Sequence, residues 1–263
     1  MIINNKFVCD TVLNKGSFGT VVKGYKINNN KPIVIKFDSS LLNLLKHESF
    51  ILHFLHQKKV QNIPPVIYYG IYKDIPCLVM PFYDCNLSEY INNNNNIDYN
   101  TSILFITLII QIIDSIHSNF VIHRDIKPQN IMIFNNQPYL IDFGLSIFYI
   151  DHEDNHIPDK TINDIVGSYK YCSIHVNLHH TPSRRDDLIS ISYLLLLLLF
   201  KNLPWNHIHN NDYVKRKSLE YILYLCDTKN HFQNIKHFYT YIYNLDFDSK
   251  PSYHYIYNLL KTI

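Results

Sequence analysis

The sequence predicts an α+β protein of two lobes within a single domain: a small antiparallel sheet with one helix in residues 1–82, and a larger, mainly helical lobe in 83–263. Three observations carry this expectation. The first eighty residues alternate short apolar runs with turns rich in Gly and Asn. Near Pro81–Asn86 the pattern changes to long segments of helical character, which places the connection between the lobes there. Between two strongly apolar segments lies a polar stretch, His123–Asn130, followed by an apolar hairpin pattern that ends at Asp142.

Taken in order, Phe7–Leu13 reads as a strand, Gly16-Ser17-Phe18-Gly19 turns the chain, and Thr20–Tyr25 runs back. Asn28–Pro32 is a second turn before the strand Ile33–Phe37. Leu41–His56 carries apolar residues at helical spacing, and Ile63–Tyr72 and Cys77–Phe82 complete the sheet. In the second lobe Tyr99–Ser118 is a long buried helix, Ile131–Phe134 and Tyr139–Ile141 are the arms of a hairpin, and Arg185–Phe200 is a central helix. The intervening 145–182 is a loop whose length points to function or disorder. Helices near 212–227, 229–243 and 251–262 finish the domain.

Composition narrows the class. With 47% apolar and 14% aromatic residues in 263, the chain can cover a sizeable core. A net charge of +2 and a pI near 8.1 argue against nucleic acid as an obligate partner. The five cysteines show no Cys-x-x-Cys pair and read as reduced thiols, and the amino terminus lacks the pattern of a secretory leader, so an intracellular location is expected. The apolar blocks Ile103–Ile113 and Leu188–Phe200 are shorter than the roughly 20 residues that span a bilayer, and both read as buried helices rather than membrane segments. His175, His179-His180 and His207-His209 lack a second ligand pair at zinc spacing and read as surface or packed histidines.

The chemistry is concentrated in His123–Asn130. Phosphoryl transfer requires a carboxylate to orient the acceptor hydroxyl, a cation for the transferring phosphate and an amide oxygen for a metal ion. Asp125, Lys127 and Asn130 supply all three within six residues. The hairpin would return Asp142 beside them, where a second carboxylate can hold Mg²⁺ against the phosphates. Upstream, Asn14–Val21 follows the pattern of a glycine-rich phosphate cover, with Asn14 at the first glycine position, where asparagine tolerates positive φ. Gly16 and Gly19 would let the backbone approach phosphate oxygens. Lys36 ends the run Ile33-Val34-Ile35, and Glu48, twelve residues on, could form its ion pair.

The order of glycine loop, Lys36, Glu48, His123-Arg124-Asp125, Asn130 and Asp142-Phe143-Gly144 resembles the eukaryotic protein kinase fold from about residue 7 onward. Within it, the details are similar to the casein kinase 1 family: His156-Ile157-Pro158, Gly167–Ile174, Ser183–Leu188, Leu203-Pro204-Trp205 and Lys250–Tyr253. Ser173-Ile174-His175 stands where most protein kinases carry Ala-Pro-Glu. The vaccinia-related kinases share some of these features and rank second.

The resemblance implies a monomeric serine/threonine protein kinase that uses ATP and Mg²⁺ on protein substrates. It implies that Asp125 orients the hydroxyl, Lys127 neutralises the γ-phosphate, and Asn130 and Asp142 hold Mg²⁺. Lys36, with Glu48, would hold the α and β phosphates. Asn14, Gly16, Ser17, Gly19, Val21, Val34, Met80, Pro81 and Tyr83 would enclose the nucleotide, with Met80 as gatekeeper and Val34 narrowing the roof over adenine. Ser168 would face the peptide, and Arg184, Arg185, Lys215 and Lys217 would receive an acidic or phosphorylated group upstream of the acceptor. Lys215-Arg216-Lys217 reads equally as solvated helix charges. Asp187 reads either as a brace for the catalytic-loop backbone or as a charge complementing a helix dipole. A pseudokinase that binds partners without catalysis and a kinase for small molecules also stay open.

Overall fold

A computed structural model of the chain describes residues 1–16, 19–38, 43–94, 97–206, 212–228 and 233–261. The first lobe is a six-stranded antiparallel sheet: β1 (Ile2–Ile3), β2 (Phe7–Gly16), β3 (Gly19–Lys26), β4 (Pro32–Phe37), β5 (Tyr68–Tyr72) and β6 (Ile75–Pro81), in the order β1-β2-β3-β4-β6-β5. The helix α1 (Leu44–Gln57) packs against β6. Alternation along β4 sorts its side chains. Ile33 and Ile35 are fully buried with Ile3, Phe7, Cys77 and Val79 in one cluster, while Val34 and Lys36 turn to the opposite face and a cleft. Gly19, at φ +145°, is required where β3 meets β4, because a Cβ there would stand 1.8 Å from the Phe37 carbonyl oxygen.

The second lobe begins with β7 (Cys85–Asn86), which pairs with β9 (Ile131–Phe134), itself the partner of β10 (Gln137–Leu140). Helices α2 (Leu87–Asn93) and α3 (Tyr99–His117) lie between, capped by Asn86 and Asp98 side chains that accept from Glu89 and Thr101 N–H groups. β8 (Val121–Ile122) pairs with β11 (Ile147–Phe148), bracketing the catalytic stretch. Then come α4 (Ile174–Asn177), α5 (Arg184–Phe200), α6 (Asp212–Arg216), α7 (Leu219–Asp227), α8 (Gln233–Tyr243) and α9 (Tyr253–Lys261). The helix α5 is buried on nearly every side and forms the centre of the lobe, with α3 and α8 packed on it. By length and composition α3 could cross a membrane, and half of its most apolar window is buried inside this molecule.

Several sequence expectations shift. The strand foreseen over 63–72 begins only at Tyr68, because Pro64-Pro65 offers no N–H groups to a ladder. The helix foreseen over 212–227 is two helices, since Ser218 caps the second through the Tyr221 N–H. The long loop at 145–182 contains β11 and α4. Ser192 is buried within α5 and donates its hydroxyl to the Ile189 carbonyl at 2.7 Å. Ser17, His207 and His209 lie outside the described residues.

Candidate active site

The catalytic stretch is built around one buried carboxylate. Asp187, in the first turn of α5, accepts from the backbone N–H groups of His123 (2.7 Å) and Arg124 (2.9 Å) and from Nε2 of His117 (3.0 Å). His117 in turn meets the hydroxyl of Tyr253 on α9. Burial opposes the Asp187 charge, but the hydrogen bond and charge of His117 hold its pKa below the usual carboxylate range. Three aimed donors make Asp187 a backbone brace rather than only a dipole partner. They also hold Arg124 at φ 71°, a left-handed conformation that costs a non-glycine residue on the order of 1–3 kcal/mol. His123 is fully buried, and burial lowers its pKa. Its Nδ1 accepts from the Asp125 N–H, so the neutral ring donates from Nε2 to the Ile141 carbonyl at 3.1 Å.

Past this brace, Asp125 presents its carboxylate to three partners. Lys127 Nζ stands 2.6 Å from Oδ2, and Ser168 donates both its backbone N–H (2.9 Å) and its hydroxyl (2.8 Å) to Oδ1. Lys127 also reaches the Ser168 hydroxyl at 3.0 Å. Asn130 gives its amide N–H group to the Asp125 carbonyl oxygen and carboxylate (2.9 and 3.1 Å), which leaves its own oxygen free to accept. Gly167, at φ +85°, lets the Ser168 segment lie on the catalytic stretch, for a Cβ there would come within 2.3 Å of the Arg124 carbonyl oxygen.

Across the cleft, Lys36 Nζ bridges Glu48 (2.8 and 3.0 Å) and Asp142 (3.1 Å). Burial opposes the ammonium, but Asp142 and Glu48 outweigh it and raise its pKa, so Lys36 is cationic. The same ammonium lowers the pKa of Asp142. Glu48 also accepts from the Phe143 N–H at 3.4 Å, and His47 Nε2 lies 2.6 Å from the Ser146 carbonyl oxygen. The helix α1 is thereby tied to both sides of Gly144.

The two groups share one cleft of about 900 Å³, whose lining includes Asn14, Val21, Val34, Met80, Pro81 and Tyr83. Asn14 needs no left-handed backbone, because it sits extended in β2, paired with Val21. Asn130 and Asp142 both face this cleft. One carboxylate, 43% exposed, and one free amide oxygen suit Mg²⁺, which keeps its other positions for water and phosphate oxygens. The donor set fits the ion.

The expected anion site is corrected. Lys217 is completely buried and bonded inside the protein, out of reach of a substrate phosphate. Arg184 is 8% exposed, stacks on Tyr149 at 4.4 Å and donates to the Asp248 carbonyl. Arg185 points to the Leu245 carbonyl and the Phe247 ring. Both arginines thus pin the segment 245–248 to the start of α5, and of the four cations only Lys215 is exposed. Sequence reasoning missed His117 and Tyr253 as supports. A histidine closing an apolar helix was the available signal.

The two-lobed architecture, with the Lys36–Glu48 pair facing Asp125 and Asn130 across a cleft, defines a protein kinase. The family described as protein kinase domain matches residues 7–261, and the chain belongs to it. It is 29% identical over 262 residues, covering 95% of this chain and 82% of the relative, to a probable casein kinase I homolog of Encephalitozoon cuniculi (strain GB-M1). The chain is a serine/threonine protein kinase that resembles casein kinase 1.

Proposed function

We propose that the chain is one catalytic domain, with lobes 1–82 and 83–263, that transfers the γ-phosphoryl of Mg-ATP to serine or threonine hydroxyls of proteins, with a preference for acceptors near acidic or phosphorylated residues. The observation that carries the transfer is the convergence of Lys127, Asn130 and Ser168 with Lys36 and Asp142 on a single cleft, with Asp125 bonded to Lys127 and Ser168 and Glu48 bonded to Lys36. Asp125, held by Ser168, orients the acceptor hydroxyl and accepts its proton. Lys127, 2.6 Å from that carboxylate, carries positive charge to where the transferring phosphoryl must pass. Lys36, fixed by Glu48, cradles the α and β phosphates. Mg²⁺, when bound at Asn130 and Asp142, neutralises phosphate oxygens. Most of the rate enhancement on this reading is positioning and electrostatics.

The acidic preference now rests on Lys170, which lines the cleft next to Ser168 and Tyr169, and on exposed Lys215. Exposed pairs of this kind weaken with salt. The test compares kcat/KM for a peptide bearing phosphoserine three residues before the acceptor with its unphosphorylated twin, in wild type and in Lys215→Ala. A ratio of about ten in favour of the phosphopeptide, reduced by the substitution, is expected for a charge-assisted contact. Equal values in wild type would remove the preference, and no transfer to any protein or peptide would remove the function.

A further inference from the structure

The lysine that fails as a surface cation has a different place in the molecule. Lys217, between α6 and α7, donates its ammonium to the Cys172 carbonyl (2.7 Å), the Tyr169 carbonyl (3.0 Å) and the Asn177 side-chain oxygen (2.7 Å). These use all three donors of the group. The rings of Tyr213, Tyr193 and Trp205 stand 4.9, 5.1 and 5.3 Å from Nζ. All three acceptors are neutral, and among the described residues no carboxylate forms an ion pair with it. The titratable groups around it are the Cys172 thiol from the Ser168–Ser173 segment, Tyr193 on α5, Tyr213 on α6 and Tyr243 on α8, whose hydroxyl donates to the Lys217 carbonyl at 2.9 Å. A buried cation without an anion is costly, and here its hydrogen bonds and aromatic faces oppose that cost.

What those bonds hold is the floor beside the reacting centre. The Tyr169 carbonyl also accepts from the Tyr213 hydroxyl at 3.0 Å, the Tyr169 ring lies 4.7 Å from that of Tyr213, and the residue is 49% exposed and lines the cleft. The residue before it, Ser168, is the one bonded to Asp125 and Lys127. The anchor therefore sits directly beneath the surface that flanks the acceptor, and its contacts do not include the nucleotide end of the cleft.

We propose that Lys217 is a positioning residue for the acceptor peptide: its ammonium ties the Tyr169 and Cys172 carbonyls from below, so that peptide binding depends on that charge while nucleotide binding does not. The proposal rests on the reading that an acceptor protein enters beside Ser168. Burial pulls the Lys217 pKa down to about 7, with the Cys172 thiol the lesser influence. The sign follows: below this value the ammonium serves all three acceptors, and above it the neutral amine has two N–H groups for three acceptors. Peptide affinity should fall as pH rises through about 7.

The experiment measures the Kd of a fluorescent serine peptide, free of histidine and phosphate, by anisotropy from about pH 6 to about pH 8.5, alongside the KM for Mg-ATP. In wild type the peptide Kd should rise at least about threefold across the range while the Mg-ATP KM stays within about twofold, since the loss of one buried charge-assisted hydrogen bond is being read. In Lys217→Met, measured near pH 6.5, the peptide Kd should rise about tenfold and lose its pH dependence, with kcat at saturating peptide within about twofold of wild type. Tyr213→Phe, which removes one donor to the Tyr169 carbonyl and keeps the charge, should weaken the peptide about threefold and retain the pH dependence. A wild-type peptide Kd flat with pH overturns the proposal, and this holds even if Lys217→Met does not fold. So does a Lys217→Met protein in which peptide and nucleotide binding weaken together, as general destabilisation would produce. Because peptide binding is measured without turnover, wild type that binds the peptide with the expected pH dependence yet transfers nothing would count against the catalytic reading alone.

Discussion

Replacing Asp187 by alanine separates its two sequence readings by magnitude. A charge that only complements the dipole of α5 contributes about 0.3–1 kcal/mol. The carboxylate observed here accepts two backbone N–H groups and one imidazole nitrogen at 2.7, 2.9 and 3.0 Å, all buried. Hydrogen bonds to a charged group are worth about 1.5–3 kcal/mol each, and some compensation by a trapped water is available, so the loss should be about 4–6 kcal/mol. For a domain of this size that lowers Tm by roughly 10–20 °C. Arg124 would also lose the bond that holds its φ at 71°, so Asp125 should move and kcat should fall further than the folded fraction does. Urea unfolding, together with kcat measured well below the variant's Tm, reads both effects. A destabilisation below about 1 kcal/mol with unchanged kcat would refute the brace and restore the dipole reading.

Three further perturbations bear on the reacting groups and on their control. Lys36→Met should lower kcat/KM at least about a hundredfold, on the order of 3 kcal/mol in the transition state, and Asp142→Ala should abolish transfer with an unchanged far-ultraviolet spectrum; wild-type turnover in either would contradict the assigned roles. Phosphatase-treated enzyme should retain its activity, because the Arg124 side chain that could recruit a loop phosphate already donates to the Leu145 carbonyl at 2.6 Å, and a large loss reversed by autophosphorylation would contradict this.

The parts legible in the sequence are those in which local pattern and chemistry coincide. The hairpin of β9 and β10 follows from two apolar runs around a polar turn, and its register returns the chain to the catalytic stretch, where the Ile141 N–H donates to the Asn130 carbonyl at 2.9 Å just before Asp142. Lys36 and Glu48 could be paired because a strand followed by a helix leaves few ways for two opposite charges at that separation to meet. The basic residues were misjudged for the complementary reason. Nothing in Lys215-Arg216-Lys217 indicates that the third side chain passes inward between Tyr193, Tyr213 and Trp205, residues that only the packed helices bring together. Arg184 and Arg185 show the same limit, since their partners at 245 and 248 are about sixty residues away. The break before α7 was written in Ser218, a cap obscured by the charged run around it.

The brace on the catalytic stretch also sets an order of events in biosynthesis. Asp187 follows His123 by 64 residues, and Tyr253 follows His117 by 136. At roughly 5–20 residues per second, His123 and Arg124 wait about 3–13 s on the ribosome for their acceptor, and His117 waits about 7–27 s for its tyrosine. The hairpins of the first lobe pair neighbours in the sequence and need no such delay. A nascent chain can therefore carry a finished sheet, with Lys36 in place on β4, well before Asp125 has the support that gives it a fixed direction. Catalytic competence arrives with a helix translated long after the catalytic residues themselves.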